Sequence, residues 1–231
     1  MREIVLDTET TGVAAENGDR IVEIGCVELL NHVSTGPEGH RRWYINPERL
    51  VPPDAVAIHG LTDTFLSDKP VFAEVAGEFL DYVGDATLII HNAKFDVGFL
   101  NMELARLGFP AIDKGREIVD TLMIARRRFP GAQASLDALC KRFGVDNSNR
   151  TLHGALLDAQ ILAEVYLELL GGRQQGLGLV ADAGGRAGGV RRERPFRAPR
   201  PHAPSDAEAD AHAKMVATIK GAVWLAEEKA G

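Results

Sequence analysis

Apolar residues along this chain follow two different periods, and the switches between them outline an α/β domain. "REIVLDT" (2–8), "RIVEIGCVELL" (20–30) and "HRRWYIN" (40–46) are β-rich runs with no helical pattern between them, so an antiparallel meander is expected. A loop from Gly12 to Asp19 joins the first two. Within "DKPVFAEVAGEFLDYVG" (68–84) the period becomes helical. Phe72, Val75, Phe79 and Val83 share a face, with Asp68 as the expected N-cap and Pro70 in the first turn. "ATLII" (86–90) reads as a buried strand, and Asn92 as the cap of a helix over "AKFDVGFLNMELARLG" (93–108). "EIVDT" (117–121) is a fifth strand. Helices are expected over "LMIARRRF" (122–129), "SLDALCKRFG" (135–144) and "GALLDAQILAEVYLELL" (154–170). This order fits a mixed five-stranded sheet with helices packed on it.

The pattern breaks at Gly171. Residues 171–204 hold eight Gly, four Pro and seven Arg with few large apolar side chains, too little to repay ordering, so a flexible linker is expected. Helical spacing returns from Ser205, where Met215, Ile219, Val223 and Ala226 form a stripe with Trp224 near its end. A single helix of this kind is marginal in water and needs a partner to pack against. The expected division is a domain over 1–172, a linker over 173–204 and a C-terminal helix within 205–231.

Composition adds three constraints. An apolar fraction of 45% is that of a globular core. Residues 1–170 carry 16 Lys+Arg against 26 Asp+Glu, whereas residues 171–231 carry 10 against 7. So acidic a body is poorly suited to sequence-blind duplex binding, which depends on neutralising many phosphates. A nucleic-acid substrate would be gripped locally, with a partner holding the polymer. Cys26 and Cys140 are isolated, which points to neither a disulfide framework nor a zinc site. The start "MREIVLDTET" lacks an apolar signal core, and no run approaches the ~20 apolar residues of a membrane span, so a cytoplasmic protein is expected.

The candidate chemistry lies in three patches: Asp7 and Glu9 in "IVLDTETTG", Asp96 in "IIHNAKFD", and His153 with Asp158 in "LHGALLDAQ". Side chains two apart on a strand share a face, so Asp7 and Glu9 project together with Val5. Asp96 falls in the first turn of a helix, where the macrodipole favours an anion. The strand before it should lie beside the first strand and deliver Asp96 to Asp7. His153 and Asp158 are five residues apart, about 140° around a helix, so they cannot share one face. His153 is therefore placed on the entering loop, free to move, with Asp158 fixed one turn inside. Two like charges ~4 Å apart repel by roughly 4 kcal/mol at an effective dielectric of 20. Four clustered carboxylates, with no counter-charge evident in the sequence, must share protons or gather cations. Paired divalent cations would clamp the attacking and leaving oxygens of a phosphate ester.

Other residues are open to two readings. Asp120 in "IVDTL" supports the site or serves structure alone, and His59 in "AIHGLTD" touches substrate or forms a His-Gly turn. Asp137 behind Ser135 reads as helix-start chemistry, and Arg126–Arg128 as phosphate contacts or a solvated face.

Together, "DTETTG", "HNAKFD" and "HGALLDA" resemble, in order, the three motifs of the DEDDh 3′→5′ exonucleases of the ribonuclease H-like fold. Over residues 2–172 the chain resembles the proofreading (epsilon) branch of that family, which serves bacterial replicative DNA polymerase III. The resemblance implies that Asp7, Glu9, Asp96 and Asp158 hold two Mg²⁺ or Mn²⁺ ions, with Asp7 bridging both. It implies His153 as the base that takes the proton of the attacking water, with release of nucleoside 5′-monophosphates. Thr8, Thr10, His59 and Phe95 are the expected substrate contacts at a DNA 3′ end. "QQGLGL" resembles a sliding-clamp-binding peptide through Gln174, Leu177 and Leu179. The C-terminal helix with Trp224 resembles a segment that docks on the polymerase catalytic (alpha) subunit. The alternatives are a free-standing exoribonuclease, which has little use for a tether, and a non-catalytic replisome scaffold, which has no need of the five site residues.

Overall fold

The computed structural model describes residues 1–148, 150, 152–171 and 203–220. β1 (Arg2–Thr10) pairs antiparallel with β2 (Ile21–Leu30) and parallel with β5 (Thr87–Ile90), which in turn pairs parallel with β6 (Ile118–Asp120). The far edge of β2 carries both β4 (His40–Tyr44) and a two-residue strand β3 (Val33–Ser34). These two share one edge position, so the mixed sheet is five strands wide, as the sequence implied. β3 itself was not anticipated: two exposed residues carry no periodicity.

Both faces of the sheet are covered, which explains its nearly continuous Ile/Val/Leu runs. Ile4, Leu6, Ile24, Cys26, Leu88 and Ile90 pack toward α3 (Phe72–Val83) and α4 (Ala93–Arg106). The alternate residues Val5, Val27, Leu29 and Ile89 pack toward α5 (Thr121–Arg128), α6 (Leu136–Phe143) and α7 (Ala155–Leu170). Cys26 and Cys140 are buried and free. Among the described residues no helix is long and apolar enough to cross a membrane.

Two short helices were absent from the sequence reading, α1 (Pro53–His59) and α2 (Asp63–Leu66). Their signals are local: Pro53 opens α1, where a missing N–H costs nothing, and Gly60 closes it at φ 76°. Thr62 caps α2 by accepting the Phe65 N–H. Two caps were misassigned. Asp68 pairs with Lys69, and α3 starts only at Phe72, where the Glu74 carboxylate takes the Val71 N–H. Asn92 precedes α4 in a left-handed conformation, but its side chain makes no cap bond. Asp120 caps instead, accepting the Asn92 and Ala93 N–H groups of α4 and the Leu122 N–H of its own helix α5.

In the C-terminal part, α8 (Asp206–Ala217) begins at Ser205, whose hydroxyl accepts the Glu208 N–H while Glu208 accepts the Ser205 N–H. The flexible linker, Gln174, Leu177, Leu179 and Trp224 lie outside the described residues, as do Val223 and Ala226 of the apolar stripe.

The approach of α7 to the sheet rests on one glycine. A Cβ on Gly25 would lie 2.2 Å from the backbone of Ala155 and Leu156, and Gly25 sits opposite Asp7 in the β1–β2 register. The missing side chain lets the first turn of α7 reach the strand beside the first motif. Gly25→Ala should therefore lower unfolding free energy by about 1–3 kcal/mol, the usual cost of overpacking. Urea unfolding measures it, and an unshifted midpoint would mean that α7 does not lean on this position.

Candidate active site

β5 ends at Ile90, level with Leu6 of β1, so Asp7 to Thr10 run on without a parallel neighbour. The crevice beyond the carboxyl ends of the central strands is the general ligand site of open α/β sheets. Here it admits side chains from both helical layers. Asp7 and Glu9 point to the α7 side, where Asp158 sits in the first turn of α7. Thr8 points to the α4 side, and its hydroxyl donates to the Asp96 carboxylate at 2.7 Å. Asp96 and Asp158 are each 3% exposed and Glu9 8%, so the carboxylates are largely out of water.

Glu9, His153 and Asp158 each offer a ligand atom within 4.8 Å of the others. Asp7 and Asp96 stand beside this triad and share its field. Burial, then Asp96, Glu9 and Asp158, push Asp7 well above the ordinary carboxylate range. Burial, then Asp158 and Glu23, push Glu9 up to about 8. Burial raises Asp96 to about 7, against the lowering effect of the Thr8 hydroxyl.

The cluster does have a counter-charge, contrary to the sequence reading. Arg150 binds both oxygens of Asp158, through Nε at 2.5 Å and Nη2 at 2.7 Å. Its Nη1 donates to Asp137 at 2.6 Å, so Asp137 does more than start α6, whose cap is Ser135. Burial works against the charge on Arg150, yet its bonds to Asp158 and Asp137 raise its pKa further. His153 lies in the segment entering α7, as expected, but it is held: its N–H donates to the Ile58 carbonyl and Nδ1 lies 2.8 Å from Arg150 Nη2.

The expected substrate residues Thr8, Thr10, His59 and Phe95 line one cavity of about 460 Å³ beside Glu9. His59 satisfies both of its readings. It ends α1 before Gly60, and its Nδ1 accepts the Leu61 N–H at 3.0 Å. Nε2 then carries the proton of the neutral ring and is buried without a hydrogen-bond partner. Burial also holds its pKa below the usual histidine value. A neighbouring cleft of about 540 Å³ is lined by Asp7, Glu9, Arg126, Asp137, Arg150, His153 and Asp158. Arg126 thus faces the site, whereas Arg128 donates to the Glu168 and Leu169 carbonyls at the end of α7. Arg150, Gly25 and Glu23 were missed from sequence. Only Arg150 carried a usable signal, as a lone cation three residues before His153 in a polar stretch.

A family model described as Exonuclease matches residues 4–166. The DNA polymerase III subunit epsilon of Rickettsia prowazekii is 58% identical over 177 residues, covering 75% of this chain and 76% of that protein. The corresponding subunit of Escherichia coli is 54% identical over 178 residues, 74% of this chain and 72% of that one. The chain belongs to the DEDDh exonucleases of the polymerase III epsilon family. Among solved structures, an exonuclease X in complex with 5′-overhanging duplex DNA aligns with a TM-score of 0.57 at 29% identity, over 73% of this chain and 90% of that one. The nuclease domain of 3′hExo, a DEDDh family member bound to rAMP, aligns at 0.64 with 19% identity, over 73% and 91%, which shows a common fold.

This epsilon-family site fits hard divalent cations. Its donors are carboxylate oxygens, the set such ions prefer. Burial and crowding make Asp7, Glu9 and Asp96 hold protons more readily than ordinary carboxyl groups do. A carboxyl group whose pKa is raised by folding binds protons better folded than unfolded, so stability is lost as pH rises toward the folded value. Chelated protein should therefore lose melting temperature between about pH 5 and pH 8, the window set by Glu9 and Asp96. Saturating Mg²⁺ or Mn²⁺ should flatten that fall. A melting temperature that climbs with pH in chelator would contradict the crowding of these acids.

Proposed function

We infer that this chain is the proofreading 3′→5′ exonuclease of a bacterial replicative DNA polymerase, removing mismatched 3′-terminal nucleotides as nucleoside 5′-monophosphates. The observation that carries this reading is the convergence of all three motifs on one crevice beside a nucleotide-sized cavity, in a chain 58% identical to a polymerase III epsilon subunit.

Asp7, Glu9, Asp96 and Asp158 are the residues that would hold two Mg²⁺ or Mn²⁺ ions. Bound there, such ions lower the pKa of water and stabilise the attacking and leaving oxygens of an in-line displacement. The protein's own side chains do the rest. Thr8 fixes Asp96 by its hydrogen bond. Thr10, His59 and Phe95 receive the terminal nucleotide, with the His59 Nε2–H as a ready donor. His153, whose ring type has its unperturbed pKa nearest neutrality, takes the proton of the attacking water. A mismatched terminus is cheaper to unpair, so preference for errors arises from the duplex rather than from reading the base.

The assembly reading concerns the tail. Gln174, Leu177 and Leu179 would engage a sliding clamp, and the 205–231 segment with Trp224 would dock on the polymerase alpha subunit. Two weak contacts on one tether hold the nuclease at high local concentration beside the primer end. The setting is cytoplasmic.

Purified protein should release mononucleotides from a mismatched 3′ primer end in Mg²⁺ and stop when the ion is chelated. Asp7→Ala should abolish this. His153→Ala should slow turnover on the order of 10²–10⁴-fold, the worth of a general base, with calorimetric metal affinity almost unchanged. A large loss of that affinity would make His153 a ligand instead, as its place in the triad with Glu9 and Asp158 permits.

Deleting residues 205–231 should leave excision of short single strands intact and abolish co-elution with the polymerase subunit on gel filtration. Persistent co-elution of the truncated chain would remove the docking role from this segment.

A further inference from the structure

Among the described residues Arg150 is the one cation paired with any of the four site carboxylates. Its position is unusual for a structural arginine. The guanidinium is 9% exposed and spans three groups at once: both oxygens of Asp158, the Asp137 carboxylate and His153 Nδ1. It thereby occupies both oxygens of a carboxylate that a divalent ion would need. An arginine does not give up its proton, so at the 2.8 Å contact His153 Nδ1 is the acceptor. The same Nδ1 also lies 3.2 Å from Asp158 Oδ2, so the three side chains form one contact cluster. One side chain thus ties up a ligand and the base together.

We propose that Arg150 is a displaceable counter-cation: it holds Asp158 and His153 in a resting arrangement when no divalent ion is present, and leaves Asp158 when one binds. This rests on the metal-dependent exonuclease reading above. Cation and guanidinium compete for the same two oxygens, so the strength of the Arg150 fork sets how tightly the site takes metal. The fork has somewhere to go. Asp137 lies on the outer side, its side chain 62% exposed, and holds Nη1 while Nε and Nη2 let go of Asp158. Arg150 also lines the open cleft with Arg126, so the released group stays beside the place where a scissile phosphate would lie.

A merely structural arginine and a displaceable one make opposite predictions. If Arg150 only braces Asp158 for its ligand role, Arg150→Gln weakens metal binding. If it competes, the same change tightens Mn²⁺ binding by about tenfold or more, the scale of a lost charge-assisted hydrogen bond. It also lowers the melting temperature in chelator, where Asp158 is left without its partner. Arg150→Lys, which keeps the charge and loses the fork, should tighten binding to a smaller degree. Calorimetric Mn²⁺ titration of wild type and both variants reads this directly. Unchanged or weaker affinity in the variants overturns the proposal. Wild-type protein that takes up no Mn²⁺ at all would instead overturn the metal-site reading beneath it.

A second measurement needs no folded variant. In ¹⁵N-arginine-labelled wild-type protein, the Arg150 Nε–H should exchange slowly with solvent in chelator and at least tenfold faster in saturating Mg²⁺. An Arg150 Nε–H that stays equally protected with the ion bound would show that the guanidinium never leaves Asp158.

Discussion

Mutual repulsion among buried acids is the constraint around which this domain is arranged. Burial, then Asp96, Glu9 and Asp158, raise the proton affinity of Asp7, and burial with Asp158 that of Glu9. The backbone must hold them. β1 carries two of them while paired along its length with β2, so the first motif sits on a strand with little freedom to open. Asp96 and Asp158 each fall in the first turn of a helix that starts at the end of the sheet, where backbone N–H groups and the macrodipole favour negative charge.

Two small features make that convergence possible. Gly25 removes the one side chain that would keep α7 away from Asp7. Asp120 ties the N-terminus of α4 to that of α5, which fixes the start of the helix bearing Asp96. Neither touches the reacting centre. Asp120 thus braces the start of α4 through backbone hydrogen bonds, and its charge is felt at Asp96.

How much was legible in the sequence follows from the range of each interaction. The strands and long helices declare themselves because burial on one face imposes a period on neighbouring residues. Asp7, Glu9, His153 and Asp158 line one cleft and Thr8, Thr10, His59 and Phe95 the cavity beside it, with Asp96 tied in through Thr8, since the strand-to-helix order already aims them there. α1 escaped because seven residues are too few to show a period, although Pro53 and Gly60 bracket it. Asn92 occupies a cap position, but a carboxylate from a distant strand does the capping, which no local pattern reveals. Arg150 stood out only as a lone cation near His153: its partners Asp137 and Asp158 flank it from two different helices, and nothing in "NSNRTLHG" says which acid it will choose.

α7 has a mechanical consequence as well as a chemical one. It is a single rod whose first turn holds Asp158 and whose last residue, Leu170, lies about 18 Å further along the axis at helical rise. Whatever follows Leu170 is therefore attached to the handle of a lever whose tip is in the active site. Arg128 grips the final carbonyls of that rod from α5, so a pull on the tail is shared with a second helix before it reaches the tip. Without that grip, force applied at Leu170 would pass along α7 and be felt first at Asp158.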